Sequence, residues 1–372
     1  MPINPRIAAF ERDMVAWRRD IHAHPELCYE ERRTAGIVAD LLRRFGCDHV
    51  ETGIAETGVV GVIRGRDEPG GGAKALGLRA DIDALPVTEA NDFAHVSRHA
   101  GKMHACGHDG HTVMLLGAAR YLAETRNFAG TVNVVFQPAE EGGGGGKRMI
   151  EEGLFQRFPC DAVYGMHNWP ELPAGVVGVR AGAMMAATDQ FTITVTGHGA
   201  HAAMPHLGVD PVLAGSHIVV ALQSLVSRAA APAEAAVLSV TMFHAGSASN
   251  VIPPSAQLDG TVRTLSAESR DRMEAGLRRV AESVAAGLGA TATVEYRRGY
   301  PVTVNTPDGA DAAARAAARV VGADNVLRDF APSMAAEDFG YMLEELPGAY
   351  IWLGQGGSAL GCALHNPRYD FN

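Results

Sequence analysis

The stretch "HACGHDGH", residues 104–111, gathers three histidines, a cysteine and an aspartate into eight positions. Cys106 and His108 stand two apart with a glycine between them, so a soft thiolate and an imidazole can turn toward one ion. The plainer alternative is a small buried thiol beside a satisfied loop histidine. His104 and His111 read as packing residues or as groups standing behind a ligand. Asp109 reads as the cap of a helix starting near Thr112.

Further along, "QPAEEGGG" follows the strand-like run "TVNVVF" and places Glu140 and Glu141 at the strand's carboxyl edge. Open α/β sheets bind their ligands at that edge. Adjacent residues leaving a strand point to opposite sides, so one can bind a metal while the other acts as a base. "YGMHNWP" and "LHNPRYD" put His167 and His365 at comparable junctions, and "LRADIDALP" ends a strand with Asp81 and Asp83. The two aspartates are turn formers or acidic groups that orient a ligand. A lone histidine is more often structural, but several metal-compatible residues at the junctions of one layer shift the weight toward a metal. The pentaglycine before Lys147 is no phosphate loop. Glu141 stands where its first glycine is required, and Arg148 where a Ser or Thr must follow the lysine.

The elements that must position these residues follow from periodicity. Ile7, Phe10, Met14, Trp17 and Ile21 mark an amphipathic first helix ending before Pro25, and a second runs from Thr34 to Phe45 with Gly46 at its end. Strands "GVVGVIRG" and "ALGLRADID", separated by a glycine-rich turn, precede the helix "TVMLLGAARYLAE" and the strand "TVNVVF". This alternation predicts an α/β layer. From Gln190 the rhythm changes to βαββαβ, the ferredoxin-like split pattern, with its first helix opened by Asp210 and Pro211. After Arg298 a helix and the strand "AYIWLG" return to α/β material. The expectation is a two-domain α/β protein. A catalytic domain of residues 1–184 and 299–372, with a mixed sheet flanked by helices, carries an inserted domain of residues 185–298.

At 372 residues with 47% hydrophobic content the chain suits two globular cores. No apolar run is read as spanning a bilayer, and the charged N-terminus lacks the apolar centre of a signal peptide. Five scattered cysteines (Cys28, Cys47, Cys106, Cys160 and Cys362) resemble no disulfide framework, so a cytoplasmic location is expected. A net charge of −10 disfavours nucleic acid, leaving small molecules as the expected partners.

The motifs "RRDIHAHPEL", "LRADIDALPV", "HACGHDGHT", "FQPAEEGGGG", "GMHNWP", "GHGAHAAMPHLGVDPV", "SASNVIPPSAQLDGTVRT", "AAEDFGYML" and "LHNPRYDFN" run in order along nearly the whole chain. Together they resemble the di-metal amidohydrolases and peptidases that include aminoacylases, hippurate hydrolases, carboxypeptidase G-type enzymes and plant auxin-conjugate hydrolases. The hippurate hydrolase and auxin-conjugate branch is the most similar. The resemblance implies a catalytic domain with an inserted lid that also dimerises the protein. It implies two divalent ions per subunit (Zn²⁺, Mn²⁺, Co²⁺ or Ni²⁺), held by Cys106, His108, Glu141, His167 and His365, with Glu140 as general base. It also implies that His201 reaches the partner subunit's active site to polarise the substrate carbonyl, and that Asn250 and Arg263 hold the substrate carboxylate. A guanidinium fork suits a carboxylate's two oxygens. Asp83 joins the catalytic set as the acid orienting a ligand. Relatives outside this branch carry a His-x-Asp pair where this chain has Asp81 and Asp83, and a bridging aspartate where this branch has cysteine chemistry. No bridging ligand carries over. Relatives also continue into a terminal helix past "YDFN", so more chain is expected there.

The activity implied is hydrolysis of the amide bond in N-acyl amino acids or related small conjugates by a metal-activated water. Two other readings compete: a hydrolase using Cys106 as nucleophile, and a binding protein that keeps the site without catalysis.

Overall fold

The computed structural model describes residues 4–66, 74–356 and 361–371. The glycine-rich turn expected after "GVVGVIRG" lies outside the described residues. The chain divides into two compact units, Met1–Met184 with Val304–Ala331 and Asp338–Asn372, and Met185–Thr303 with Pro332–Glu337. The sequence reading assigned 299–303 and 332–337 to the catalytic domain. They belong to the second unit because Ser333 bridges Met185, and the Ala186 N–H donates to the carbonyls of Ser333 (3.1 Å) and Ala335 (2.9 Å).

In the first unit, helices α1 (Glu11–Ala23) and α2 (Arg32–Phe45) precede strands β1 (His49–Ile54), β2 (Gly58–Arg64) and β3 (Ala75–Asp81). Helix α3 (His108–Thr125), β4 (Thr131–Gln137), α4 (Gly145–Glu151), β5 (Ala162–Trp169) and β6 (Val177–Gly178) follow. In the second unit lie β7 (Ala187–Thr196), α5 (Pro211–Ser224), β8 (Ala236–Ala245), β9 (Ser255–Thr264), α6 (Ala267–Gly287) and β10 (Thr291–Arg298). The first unit resumes with α7 (Pro307–Val321), β11 (Val326–Leu327) and β12 (Gly348–Gly354).

Its eight-stranded mixed sheet runs β1-β2-β4-β3-β5-β12-β6-β11, with β4, β3, β5 and β12 mutually parallel. One core joins Val38 and Leu42 of α2 and Leu116 and Ala119 of α3 to Val59, Ile63, Val134 and Phe136 of the sheet. Leu42 is fully buried there, so trimming it to alanine costs about 2–5 kcal/mol. Further along the sheet, Ala310, Ala313 and Ala314 of α7 pack on Val179 and Ala349. Their small side chains let the helix lie close to the strands.

The second unit is a four-stranded antiparallel sheet ordered β8-β9-β7-β10, with α5 and α6 packed on one face. Asp210 caps α5 by accepting from the Val212 N–H at 2.8 Å, and Pro211 occupies the first turn. The helix continues as a π-helical turn over Leu225–Ala229, and the joined stretch is long and apolar enough to cross a membrane. That corrects the sequence reading, which saw no such run. Ala214, Ile218, Leu222 and Leu225 bury its inner stripe in the core of this unit.

Candidate metal centre

Three neighbouring parallel strands, β4, β3 and β5, end together, and their carboxyl ends deliver the site. β3 terminates at Asp81 with Asp83 two residues on; β4 leads through Pro138 and Ala139 to Glu140 and Glu141; β5 carries His167 near its end. The first turn of α3 adds His108. The helix starts there, one turn earlier than the sequence reading placed it, because Gly107 takes φ 93° as its N-cap. A Cβ at Gly107 would meet Asn168 Oδ1 at 2.5 Å, so both conformation and space demand glycine.

Asp109 is therefore not the cap. It sits inside the first turn, fully buried, and its Oδ2 accepts from Arg18 Nε (2.7 Å) and pairs with His22 Nδ1 (2.8 Å). An anion near a helix N-terminus is favoured by the dipole, and here it also ties α3 to α1.

Among the described residues five groups of three could hold an ion, and the five expected ligands make up two of them, Cys106–His108–His167 and Cys106–Glu141–His365, with the donor atoms of each within 4.8 Å of one another. Cys106 is common to both. The imidazole orientations are set from behind. His108 Nδ1 faces the Asp83 carbonyl (3.0 Å) and Asp83 Oδ1 (3.2 Å), both acceptors, so this nitrogen carries a proton and Nε2 is the atom turned toward the triad. His167 Nδ1 likewise donates to the Asn168 carbonyl at 2.7 Å, while its Nε2 lies 3.4 Å from Cys106 Sγ. His365 is held with φ 63°, a costly conformation for a non-glycine residue, while its N–H donates to the Ala105 carbonyl at 2.8 Å.

Two buried atoms test whether a cation fits. Among the described residues, His108 Nε2 and Glu141 Oε1 have no hydrogen-bond partner. Glu141 Oε1 nonetheless lies 3.3 Å from His365 Nε2 and 3.9 Å from His108 Nε2. Buried polar atoms left without a partner around one space are costly, and a divalent cation that displaces the His108 proton satisfies them together. The residues fit the metals.

The electrostatics agree. Burial pulls His108 down, but Asp81, Asp83 and Glu141 outweigh it and push the imidazole up to about 10. Burial also raises the Cys106 thiol well above its ordinary value, with Glu141, Glu140 and Asp81 adding to the effect. A pocket that holds protons on its own ligands is short of positive charge. A divalent cation supplies that charge and releases those protons. Without a cation Cys106 stays a thiol, which disfavours its use as a nucleophile at neutral pH.

Asp83 is fully buried between the two ligand segments. Besides His108 it accepts from the Glu141 N–H at 2.9 Å through Oδ2, and burial, which would raise its carboxyl, is outweighed by the His108 and Glu141 hydrogen bonds. His111 has both nitrogens engaged, with Asp81 Oδ1 and Asn168 Oδ1 each at 2.6 Å, and it stands behind the ligands. His104 is buried, and burial takes its imidazole down to about 4.

The remaining candidates lie in the second unit. His201 and Asn250 are neighbours across a short ladder in which Val251 pairs with His201, and the Ala202 N–H donates to the Asn250 carbonyl at 3.0 Å. His201 is exposed, and its Nδ1 accepts from the Ala203 N–H at 3.1 Å. Its outward Nε2 therefore bears the proton and is a donor. Arg263, on β9, is half-buried and donates to Thr261 Oγ1 and to the Val262 carbonyl. Among the described residues it pairs with no carboxylate.

Sequence reasoning missed several supporting groups. Arg79 is fully buried with Asp81 and Asp338, each at 2.8 Å, and anchors the end of β3. Asn168 joins His111, Tyr369 and Gln355. Both lie in motifs that carried the resemblance, yet nothing in their spacing marks such distant partners.

Residues 77–372 match the model of peptidase family M20/M25/M40. Hippurate hydrolase of Campylobacter jejuni is 41% identical over 372 residues, covering 100% of this chain and 95% of the relative. N-acetyl-L-cysteine deacetylase of Bacillus subtilis is 40% identical over 376 residues, covering 100% and 86%. The crystal structure of a dinuclear metal-binding peptidase of the M20 family from Bacillus subtilis is similar with a TM-score of 0.85 at 35% identity, covering 98% of this chain and 94% of that one.

Proposed function

The chain belongs to peptidase family M20/M25/M40 and is a metal-dependent hydrolase of amides; on that premise we propose that its substrates are N-acyl amino acids or related small conjugates. The names of two similar relatives, hippurate hydrolase and N-acetyl-L-cysteine deacetylase, both denote N-acyl amino acids. The observation that carries the reading is the pair of donor triads sharing Cys106, with Glu140 adjacent to the ligand Glu141.

In this reading Cys106, His108 and His167 would hold one divalent ion, and Cys106, Glu141 and His365 a second. Thiolate and imidazole donors suit Zn²⁺, Co²⁺ or Ni²⁺ better than Mg²⁺ or Ca²⁺, while the Glu141 carboxylate also suits Mn²⁺. When bound, the pair polarises a carbonyl and lowers the pKa of water. Glu140 accepts the proton of the attacking water on its carboxylate and returns it to the departing amide nitrogen. Asp83 keeps the His108 lone pair aimed forward. His201, a donor through Nε2, faces the developing oxyanion, while Asn250 and Arg263 hold the substrate carboxylate.

The second unit acts as a lid and dimerisation domain, with His201 serving the active site of a second copy of the chain. Support comes from the outermost strand β8 and the outer side of α5, which expose Met242, Phe243, Leu213 and Val220. Exposed apolar side chains of that kind suit a partner surface. A cytoplasmic location is proposed with it, supported by the absence of any disulfide among the described cysteines.

The test is release of free amine from a panel of N-acyl amino acids before chelation, after chelation and after metal is restored. Activity lost to the chelator and regained with metal is expected. Protein that carries two ions per chain yet releases no amine from any member of the panel overturns the substrate class. Activity indifferent to chelation but abolished by thiol alkylation points to the cysteine nucleophile.

A further inference from the structure

Glu31 stands at the N-cap position of helix α2, yet its side chain does not cap the helix. Glu26 takes that task, accepting from the N–H groups of Arg33 (2.9 Å) and Thr34 (2.8 Å) and from the Thr34 hydroxyl (3.0 Å). A carboxylate at a helix start ordinarily satisfies the first turn's N–H groups. With its own helix served by a residue five positions upstream, the Glu31 carboxylate is turned elsewhere and is fully buried. Its Oε1 accepts from the Ala139 N–H at 2.9 Å, and its Oε2 from the Thr57 hydroxyl at 2.6 Å.

Ala139 is the residue before Glu140, and its backbone is left-handed, with φ 53°. An alanine does not rest there unaided, because its Cβ crowds the following carbonyl. The turn is bound on its other side as well: the Gly145 N–H donates to the Ala139 carbonyl at 3.1 Å. A Cβ on Gly143 would stand 2.7 Å from the Ala139 Cβ, so the turn has no slack there. The Pro138–Ala139 peptide, on one side of the strained residue, is therefore held by the Glu31 carboxylate, and the Ala139–Glu140 peptide, on the other, by the Gly145 N–H. A buried carboxylate is an expensive way to fill space, and burial pushes this one up to about 7 despite its two hydrogen bonds. An apolar side chain would fill the same volume without accepting from the Ala139 N–H.

We infer that Glu31 is a positioning residue for the proposed base Glu140, holding the strained Ala139 turn in the one conformation that presents the Glu140 carboxylate for proton transfer. The inference rests on the role given to Glu140 above. It assigns Glu31 no contact with substrate or metal. Misplacing a reacting group by a fraction of an ångström lowers turnover far more than it lowers binding.

The experiment compares Glu31→Asp and Glu31→Gln with the wild type and with Glu140→Gln, all as metal-loaded full chains. Asp keeps the charge but withdraws the carboxylate by one methylene. Gln keeps the length and an oxygen for the Ala139 N–H. Expected are a fall of about tenfold or more in kcat for Glu31→Asp, with KM within about twofold and metal content unchanged, and a Gln variant within about threefold of wild type. Thr57→Val, which loosens Glu31 without altering it, is read in the same way should Glu31→Asp not fold. Glu31→Asp turning over at the wild-type rate overturns the inference, and so does a loss confined to metal content or thermal midpoint. If Glu140→Gln is inactive while Glu31→Asp is normal, only this inference fails. If Glu140→Gln is itself unimpaired, the reading of Glu140 fails instead.

Discussion

Asp83 and His108 are joined twice: one imidazole nitrogen, Nδ1, faces both the Asp83 carbonyl oxygen and its carboxylate Oδ1, at 3.0 and 3.2 Å. The other carboxylate oxygen holds the Glu141 N–H, so one buried side chain aligns a ligand in each triad. Asp83→Asn keeps the shape but places an amide where two N–H groups seek acceptors. Metal affinity is expected to fall about 10–100-fold with little change in fold, measured by titrating stripped protein with metal. An unaltered affinity would show that the alignment does nothing for binding.

Cys106 and His365 are expected to differ in how many ions they cost. Cys106 stands in both triads and His365 in one. Cys106→Ala removes a donor from each site and should strip both ions, whereas His365→Ala should leave close to one ion per chain. Elemental analysis after gel filtration reads the stoichiometry. Equal losses in the two variants would mean that Cys106 is not shared.

Much of this site was legible in the sequence because ligands are announced locally. Cys106 and His108 share a turn, Glu140 and Glu141 end a strand, and each has a chemistry that few residues supply. The βαββαβ order of the second unit was legible for a similar reason, since its strands and helices have distinct periods. What escaped were relationships made only by folding. Glu31 meets Ala139 across 108 positions and Thr57 across 26, and no periodicity links them. The start of α3 was misplaced because Gly107 reads as a flexible linker until its positive φ identifies it as a cap. Asp109 was then mistaken for a cap, although Arg18 and His22 had claimed its carboxylate. The membrane-length run over Pro211–Ala229 was overlooked because its polar positions are scattered among apolar ones.

His22 makes stability depend on pH in a defined window. It is fully buried between Asp109 Oδ2 (2.8 Å) and Glu89 Oε1 (3.1 Å). Burial pulls its imidazole down, but the hydrogen bonds to the two carboxylates prevail and push it up to about 9 from an ordinary 6.5. A folded value above the unfolded one means the stabilisation is complete below about pH 6.5 and is lost as pH rises through about 9. Its ceiling is roughly 3 kcal/mol. The gap in unfolding free energy between metal-stripped wild type and His22→Gln should be widest near pH 6 and shrink toward pH 10. A gap that stays flat or widens would show that His22 is not held as an imidazolium.

Glu140 and Glu141 are neighbours in sequence with separate duties, and substitution can tell the duties apart. Glutamine has the shape of glutamate and can still hydrogen-bond water, but it cannot take up a proton. If Glu141 is the ligand and Glu140 the base, Glu140→Gln should keep its full metal content and near-normal KM while kcat falls at least about a hundredfold, the lower range for general acid–base catalysis. Glu141→Gln should lose metal first and activity as a consequence. The opposite outcome is physically available, because His108, Glu140 and Glu141 also form a group compact enough to hold an ion. Steady-state kinetics alone cannot separate the two assignments, since either variant is slow. Metal content measured on the same preparations can, and a Glu140→Gln protein depleted of metal would move Glu140 from base to ligand.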